Sequence, residues 1–277
     1  MPAADEAQAD EGLADEGLAG ATDIGIGALL SDAVREAGAL ALQKFRAPFK
    51  SWTKEHDSPV SEVDIAVDEM LRERLGGAVP GYGWLSEESA DNAERLAARH
   101  VWIVDPIDGT RAFIAGREDW VISAALTRDG QPVAGAIYVP VEDALFLALE
   151  GEGAMLNGKP LNIRQDEALD GARVSGPKRL VETLAASRHV EILPRIHSLA
   201  LRLARVANET LEVAFAGGNS RDWDIAAADA ILREAGGILT DLDGVPVTYN
   251  RPDPVHAGLV AANRLRHPLV IQLLRAG

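Results

Sequence analysis

Asp105 and Asp108 stand three positions apart in Val101-Trp102-Ile103-Val104-Asp105-Pro106-Ile107-Asp108-Gly109-Thr110-Arg111. The four apolar residues make a short buried strand. Pro106, with no N–H and a fixed φ, keeps the chain from simply continuing as helix or ladder. Both carboxylates are therefore expected at the strand's carboxyl end, facing a common point. Buried without compensation, they would repel each other at a cost of several kcal/mol. A divalent cation removes that cost, and carboxylates with the Ile107 carbonyl are the hard oxygen donors that suit Mg²⁺. Gly109 allows close backbone approach and Thr110 supplies a hydroxyl, as a metal-and-phosphate site requires. An ordinary Asp-Pro/Asp-Gly loop has the same residues, so the decision falls to the rest of the chain.

Two further acidic groups are candidates for the same point. Residues 82–86 form a short apolar strand that enters Glu87-Glu88, although by themselves both glutamates fit a solvated turn better. Asp222-Trp223-Asp224-Ile225-Ala226-Ala227-Ala228 opens a helix, where either aspartate suits a cap. Three alanines let that helix approach a neighbour closely, which would bring Asp224 toward the acids of the first half. An anion is also accommodated at such a helix end.

The elements that position these groups are legible from periodicity. Apolar residues at helical spacing predict a helix over 24–45. Another covers 62–75, with Ser61 as N-cap and Asp64 at the third helical position as a capping box. Strands and tight turns over 120–163 read as an antiparallel meander packed beneath these two helices. The first half is thus α+β. After about residue 170, strands at 173–175, 190–193, 211–215, 238–241 and 259–262 alternate with helices at 179–187, 198–207, 223–235 and 264–274, a layered α/β half. The expected division is an acidic disordered tail over 1–22, a metal-binding α+β domain over 23–166, and an α/β domain over 167–277 that completes the site. In the tail, Ala9-Asp10-Glu11-Gly12-Leu13 repeats as Ala14-Asp15-Glu16-Gly17-Leu18.

Composition narrows the function classes. The 277 residues carry a net charge of −16, which opposes a nucleic-acid polymer as partner. With no cysteine, disulfides, thiolate catalysis and zinc–thiolate sites are excluded. The six histidines, at positions 56, 100, 189, 197, 256 and 267, show no ligand spacing. No apolar run reaches the ~18 residues of a membrane span, and the acidic start lacks the pattern of a signal peptide, so a cytoplasmic location is expected.

Taken together, Glu87-Glu88-Ser89, Asp105-Pro106-Ile107-Asp108-Gly109-Thr110 and Trp223-Asp224-Ile225-Ala226-Ala227 resemble, in order and spacing, the three signature motifs of the inositol monophosphatase superfamily. The likeness runs from about residue 24 to the C-terminus, through Asn157-Gly158-Lys159-Pro160 and Glu234-Ala235-Gly236-Gly237. It implies a Mg²⁺-dependent, typically lithium-sensitive phosphomonoesterase on a layered α-β-α-β-α sandwich, of a family in which homodimers are common. Glu87, Asp105, the Ile107 carbonyl, Asp108 and Asp224 match metal ligands, with Glu88 behind them. Asp64 matches an aspartate that pairs with Thr110, and so takes a catalytic role in place of the capping one. Ser86 departs from the glycine many members carry there.

The mechanism this implies uses about two or three Mg²⁺ ions, ~3.5–4 Å apart, that stabilise attacking and leaving oxygens. Thr110, bonded to Asp64, orients and helps deprotonate the attacking water beside Glu87. Gly109 and Thr110 N–H groups cradle phosphate, and Asp224 faces the leaving group. The substrate is a small phosphate ester. Inositol phosphatases carry an acid seven positions before the Trp-Asp aspartate, and here that position is Gly217. Leu85-Ser86-Glu87-Glu88, Asp108-Gly109-Thr110-Arg111-Ala112-Phe113 and Arg117-Glu118-Asp119-Trp120 look more like the CysQ-type 3′(2′),5′-bisphosphate nucleotidases. In that branch a lysine for the second phosphate falls near Arg202, although a solvated helix arginine is the alternative. Ser175 and Lys178 are further candidate substrate contacts. The other readings are an inositol-1-monophosphatase or related sugar-phosphate phosphatase, and a catalytically idle scaffold on the same fold.

Overall fold

The computed structural model describes residues 23–54 and 58–276. The expected acidic tail and His56 lie outside the described residues.

Helix α1 (Asp23–Lys44) is followed by a small hairpin, β1 (Ser51–Thr53) and β2 (Pro59–Ser61), that leads into α2 (Glu62–Leu71). The predicted capping box is present: Ser61 Oγ accepts from the Val63 and Asp64 amides, and Asp64 Oδ2 accepts from the Ser61 amide. Where a single helix to residue 75 was expected, the last turn widens to a π-helical Arg72–Gly76.

A seven-stranded sheet follows, in spatial order β3 (Gly83–Ser86), β4 (His100–Asp108), β5 (Val121–Arg128), β6 (Gln131–Val139), β7 (Ala144–Leu149), β8 (Gly153–Leu156) and β9 (Lys159–Leu161). All neighbours are antiparallel except β3 and β4. Strand β4 is buried along its whole length, so it needs apolar residues on both faces. Alternate side chains supply them: Trp102 and Val104 face α1 and α2, and Val101 and Ile103 face the opposite core. The two N-terminal helices cover one face of the meander, as expected.

A second sheet has the order β11 (Glu191–Ile192), β10 (Arg173–Ser175), β12 (Val213–Ala216), β16 (Leu259–Asn263), β14 (Gly237–Asp241). Helices α5 (Leu199–Ala207) and α6 (Asp222–Glu234) lie between the two sheets and share one apolar core with both, from Ile103, Ile137 and Phe146 through Ile225, Ala227 and Ile231 to Leu239 and Ala261. Outside the second sheet, α4 (Lys178–Ser187) and α7 (Arg266–Ala276) pack on Val174, Val213, Phe215 and Val260. The layers are α-β-α-β-α. Gly135 on β6 is what lets α6 come so close: a Cβ there would meet the Ala227 carbonyl at 2.6 Å. Among the described residues no helix is long and apolar enough to cross a membrane.

Candidate active site

Pro106 does not end β4. The strand runs through it to Asp108, with a bulge: Asp105 pairs with Ser123 and Asp108 with Val121, three steps against two. A proline is tolerated at a bulge because the ladder bond it cannot donate is already missing there. The extra residue turns the strand's end toward the gap between sheets. Gly109 then adopts φ +94° to start the short α3 (Thr110–Ile114), and a Cβ there would press on the Asp119 carbonyl at 3.0 Å.

Asp105, Asp108 and Asp224 converge, each offering an oxygen within 4.8 Å of the others. With Glu87, Gly109, Thr110, Ser58, Pro59, Arg111, Arg195 and His197 they line a cavity of about 420 Å³. Asp224 comes from the first turn of α6, where its Oδ2 also accepts the Arg221 amide at 2.7 Å. Capping and cavity lining are thus not alternatives for this residue. Asp108 Oδ2 accepts the Ser198 hydroxyl and the Ala200 amide, each at 2.6 Å, which fixes the start of α5 against the end of β4. Asp105 is 1% exposed and its Oδ1 has no hydrogen-bond partner among the described residues.

The electrostatics are those of a crowded anionic site. Burial pushes the Asp105 carboxyl well up, and Glu87, Asp108 and Asp224 push it further. Asp224 is raised by burial and by Asp108 and Glu87. Asp108 is raised by burial despite the bonds from Ser198 and Ala200. Glu87 rises to about 7, again chiefly through burial, although Lys54 opposes the shift. An orphaned buried oxygen within an all-oxygen, like-charged donor set fits a hard divalent cation such as Mg²⁺. Neither histidine nor cysteine contributes to the cluster.

Thr110 Oγ1 lies 3.1 Å from Asp64 Oδ1 and 3.0 Å from the Ile107 carbonyl. Asp68 on α2 accepts the Ser86 and Ser89 hydroxyls and so holds the turn that presents Glu87. Ser86, the departure from glycine, therefore has a bond of its own to make. Glu88 turns to Lys54, 2.7 Å away.

Three expected substrate contacts fall elsewhere. Ser175 is fully buried and its hydroxyl donates to the Pro194 carbonyl, because β10 ends inside the sheet. Arg202 is neither solvated nor in the cavity lining: it is 3% exposed and donates to the Phe215 carbonyl, and burial and then Arg195 lower its pKa to about 10 although Asp108 and Asp224 oppose the shift. Lys178 is exposed at the start of α4, near Glu182 and outside the lining. In their place the loop before α5 brings Arg195 and His197 to the cavity. His197 is tied to Asp119 Oδ2 by its amide at 2.7 Å and by its Nδ1 at 2.6 Å. Nothing in their local sequence marks these two, since the pairing of His197 with Asp119 is made 78 positions away.

A model of the inositol monophosphatase family matches residues 26–276. The inositol-1-monophosphatase of Mesorhizobium japonicum is 34% identical over 205 residues, which cover 67% of this chain and 73% of that protein. The 3′(2′),5′-bisphosphate nucleotidase CysQ of Aggregatibacter actinomycetemcomitans is 32% identical over 211 residues, 72% of this chain and 77% of that protein. A crystal structure of an IMPase/NADP phosphatase complexed with Mg²⁺ and phosphate superposes with a TM-score of 0.80 at 25% identity, over 92% of this chain and 97% of that one.

Proposed function

The chain belongs to the inositol monophosphatase family, and from that premise we propose that it hydrolyses a small phosphate monoester bearing a second phosphate, 3′-phosphoadenosine 5′-phosphate being the best match. The phosphatase chemistry rests on one observation above all, the convergence of Asp105, Asp108 and Asp224 around a buried oxygen with no partner among the described residues. Those three, with Glu87 and the Ile107 carbonyl, are the groups that would hold Mg²⁺. When bound, the ion offsets the phosphoryl charge, lowers the pKa of water and stabilises the leaving oxygen. Asp64 and Thr110 orient the attacking water. The short turn at Gly109 and Thr110 presents its N–H groups to phosphate oxygens.

Arg195 supports the second phosphate. It is exposed and lines the cavity two positions before His197, with no ion-pair or hydrogen-bond partner among the described residues. A monoester whose charge the metals already offset needs no further unpaired cation in the cavity. Gly217 also lies outside this lining and offers no acid for ring hydroxyls. Inositol 1-phosphate is the second reading, favoured by the 34% identity to a protein of that name.

The test is phosphate release from 3′-phosphoadenosine 5′-phosphate, inositol 1-phosphate and fructose 1,6-bisphosphate by the purified chain, with and without Mg²⁺ and Li⁺. The nucleotide is expected to be turned over fastest, only with Mg²⁺ and with inhibition by Li⁺. Arg195→Ala should raise KM for it about tenfold or more while leaving inositol 1-phosphate unchanged. Preference for inositol 1-phosphate would reverse the substrate assignment, and binding without turnover would leave a scaffold.

A further inference from the structure

Asp222 is fully buried two positions before Asp224, and none of its contacts is with the cavity. Its Oδ2 accepts the Asn250 amide at 2.8 Å, and its Oδ1 is 2.6 Å from His256 Nε2. Its own amide donates to the Pro254 carbonyl at 3.0 Å. The pairing of β13 (Ser220–Arg221) with β15 (Val255–His256) adds main-chain bonds directly before α6, and the Asn219 amide donates to the His256 carbonyl. Residues 250–256 thus grip the entry to α6 through both side chain and backbone.

The same segment also grips the other side of the site. Arg95 Nη1 donates to Asn250 Oδ1 at 2.7 Å and to the Arg251 carbonyl at 3.1 Å, and Asn250 Nδ2 donates back to the Arg95 carbonyl at 3.0 Å. Arg95 is 2% exposed and forks onto Asp91 at 2.6 and 2.9 Å. Asp91 lies on the loop that begins at Glu87. One strap therefore joins the loop after Glu87 to the helix that carries Asp224.

The need for such a frame is electrostatic. Asp224 takes its only hydrogen bond among the described residues from Arg221 in its own turn, so its place in the cluster is inherited from the entry to α6. Glu87, Asp105, Asp108 and Asp224 are like-charged groups that face one cavity, so the frame around them has to hold their spacing. We propose that Asp222, Asn250 and His256 are positioning residues: the strap sets the spacing of Asp224 from Glu87, and through it the affinity of the cluster for divalent ions. The proposal rests on the metal-site reading above.

Calorimetric titration of the metal-stripped, full chain with MgCl₂ tests it directly, at a temperature where circular dichroism shows each variant folded. Asn250→Ala cuts the clasp on Arg95 yet leaves the backbone bond to Asp222, and His256→Ala removes the partner of Asp222. Each should weaken Mg²⁺ binding about tenfold or more, and His256→Gln, which keeps an N–H for Asp222, should recover most of it. Asn250→Ala gives the answer should His256→Ala not fold. Wild-type Mg²⁺ affinity in folded Asn250→Ala overturns the strap alone. Absence of Mg²⁺ binding by the wild-type chain overturns the metal site, and the strap's role with it.

Discussion

Thr110 Oγ1 donates to Asp64 Oδ1 across 3.1 Å, joining the start of α3 to the first turn of α2. Asp64 divides its oxygens: Oδ2 closes the capping box on Ser61, and Oδ1 takes Thr110. With its proton committed to Asp64 and the Ile107 carbonyl, the Thr110 oxygen has lone pairs left to accept a hydrogen bond from water in the cavity. Thr110→Val should therefore lower kcat by about 10²–10³-fold with little change in melting temperature, while Thr110→Ser stays active. Asp64→Ala should lose both activity and about 1 kcal/mol or more of stability, since the cap goes as well. Kinetics and thermal melts on the three variants separate the two roles. Equal activity of Thr110→Val and wild type would remove Thr110 from the mechanism.

The acids of the site were legible because their chemistry is local. Asp105, Pro106 and Asp108 are crowded by the chain itself, and the Ala226-Ala227-Ala228 run announces a close helix. What escaped was whatever needs a partner far along the chain. Arg195 and His197 look like ordinary surface residues, and Asp119 shows no partner of its own, until the fold brings 119 against 197. Asp222, Asn250 and His256 likewise acquire their roles only by meeting. Arg202 lies on the expected helix but is buried against the Phe215 carbonyl, because α5 packs between the two sheets and its inward face is set by packing and not by periodicity. From sequence Pro106 interrupts the ladder, whereas in the fold the bulge at Asp105/Asp108 makes its missing donor harmless.

Replacing one repelling carboxylate should relieve the metal-free protein. Asp105→Asn keeps the shape, removes a charge that burial and four neighbouring acids all disfavour, and adds an N–H among acceptors. We expect it to melt higher than wild type in EDTA, by on the order of 1–2 kcal/mol, about 2–4 °C for each kcal/mol in a chain of this size. In Mg²⁺ the order reverses, because only the wild type gains from the ion, and turnover of the variant falls by orders of magnitude. A lower melting temperature than wild type in EDTA would contradict the picture of stored repulsion.

The same cluster dictates a pH dependence. Glu87, raised to about 7, together with Asp105 and Asp224, also raised, binds protons more tightly in the folded chain than in the unfolded one. Between the unfolded carboxyl range and about pH 7 the folded state thus holds more protons, and stability falls as pH rises. In EDTA the melting temperature should decline from pH 5 to pH 8. Saturating Mg²⁺, which favours the ionised carboxylates, should flatten or invert that slope. Melts at a series of pH values, with and without the ion, read both signs.

Asp119 should act on substrate binding and not on the chemical step. Burial disfavours its carboxylate, yet the amide and imidazole of His197 hold its carboxyl below the usual range, so it is a charged anchor for the loop that carries Arg195. Asp119→Ala frees that loop without touching Asp105, Asp108 or Asp224. The expected result is a KM for the bisphosphate raised about tenfold, with kcat within a factor of about three. A fall in kcat with KM unchanged would move Asp119 from positioning the substrate to supporting the reaction.

Gly135 ties the packing of the two sheets to the chemistry. It sits on β6 where α6 crosses, and a methyl group there would meet the Ala227 carbonyl at 2.6 Å, the Ala230 Cβ at 2.8 Å and the Ala227 Cα at 3.0 Å. Two of these atoms are backbone, so no side chain can rotate away and the helix itself must retreat. Overpacking of this kind costs about 1–3 kcal/mol. Because α6 begins with Asp222-Trp223-Asp224, the retreat also carries Asp224 away from Asp105 and Asp108. Gly135→Ala should therefore lose melting temperature and, in the fraction that remains folded, need several times more Mg²⁺ for half-maximal activity. Unchanged Mg²⁺ dependence in a destabilised but active variant would mean that α6 tilts about its first turn, leaving Asp224 where it was.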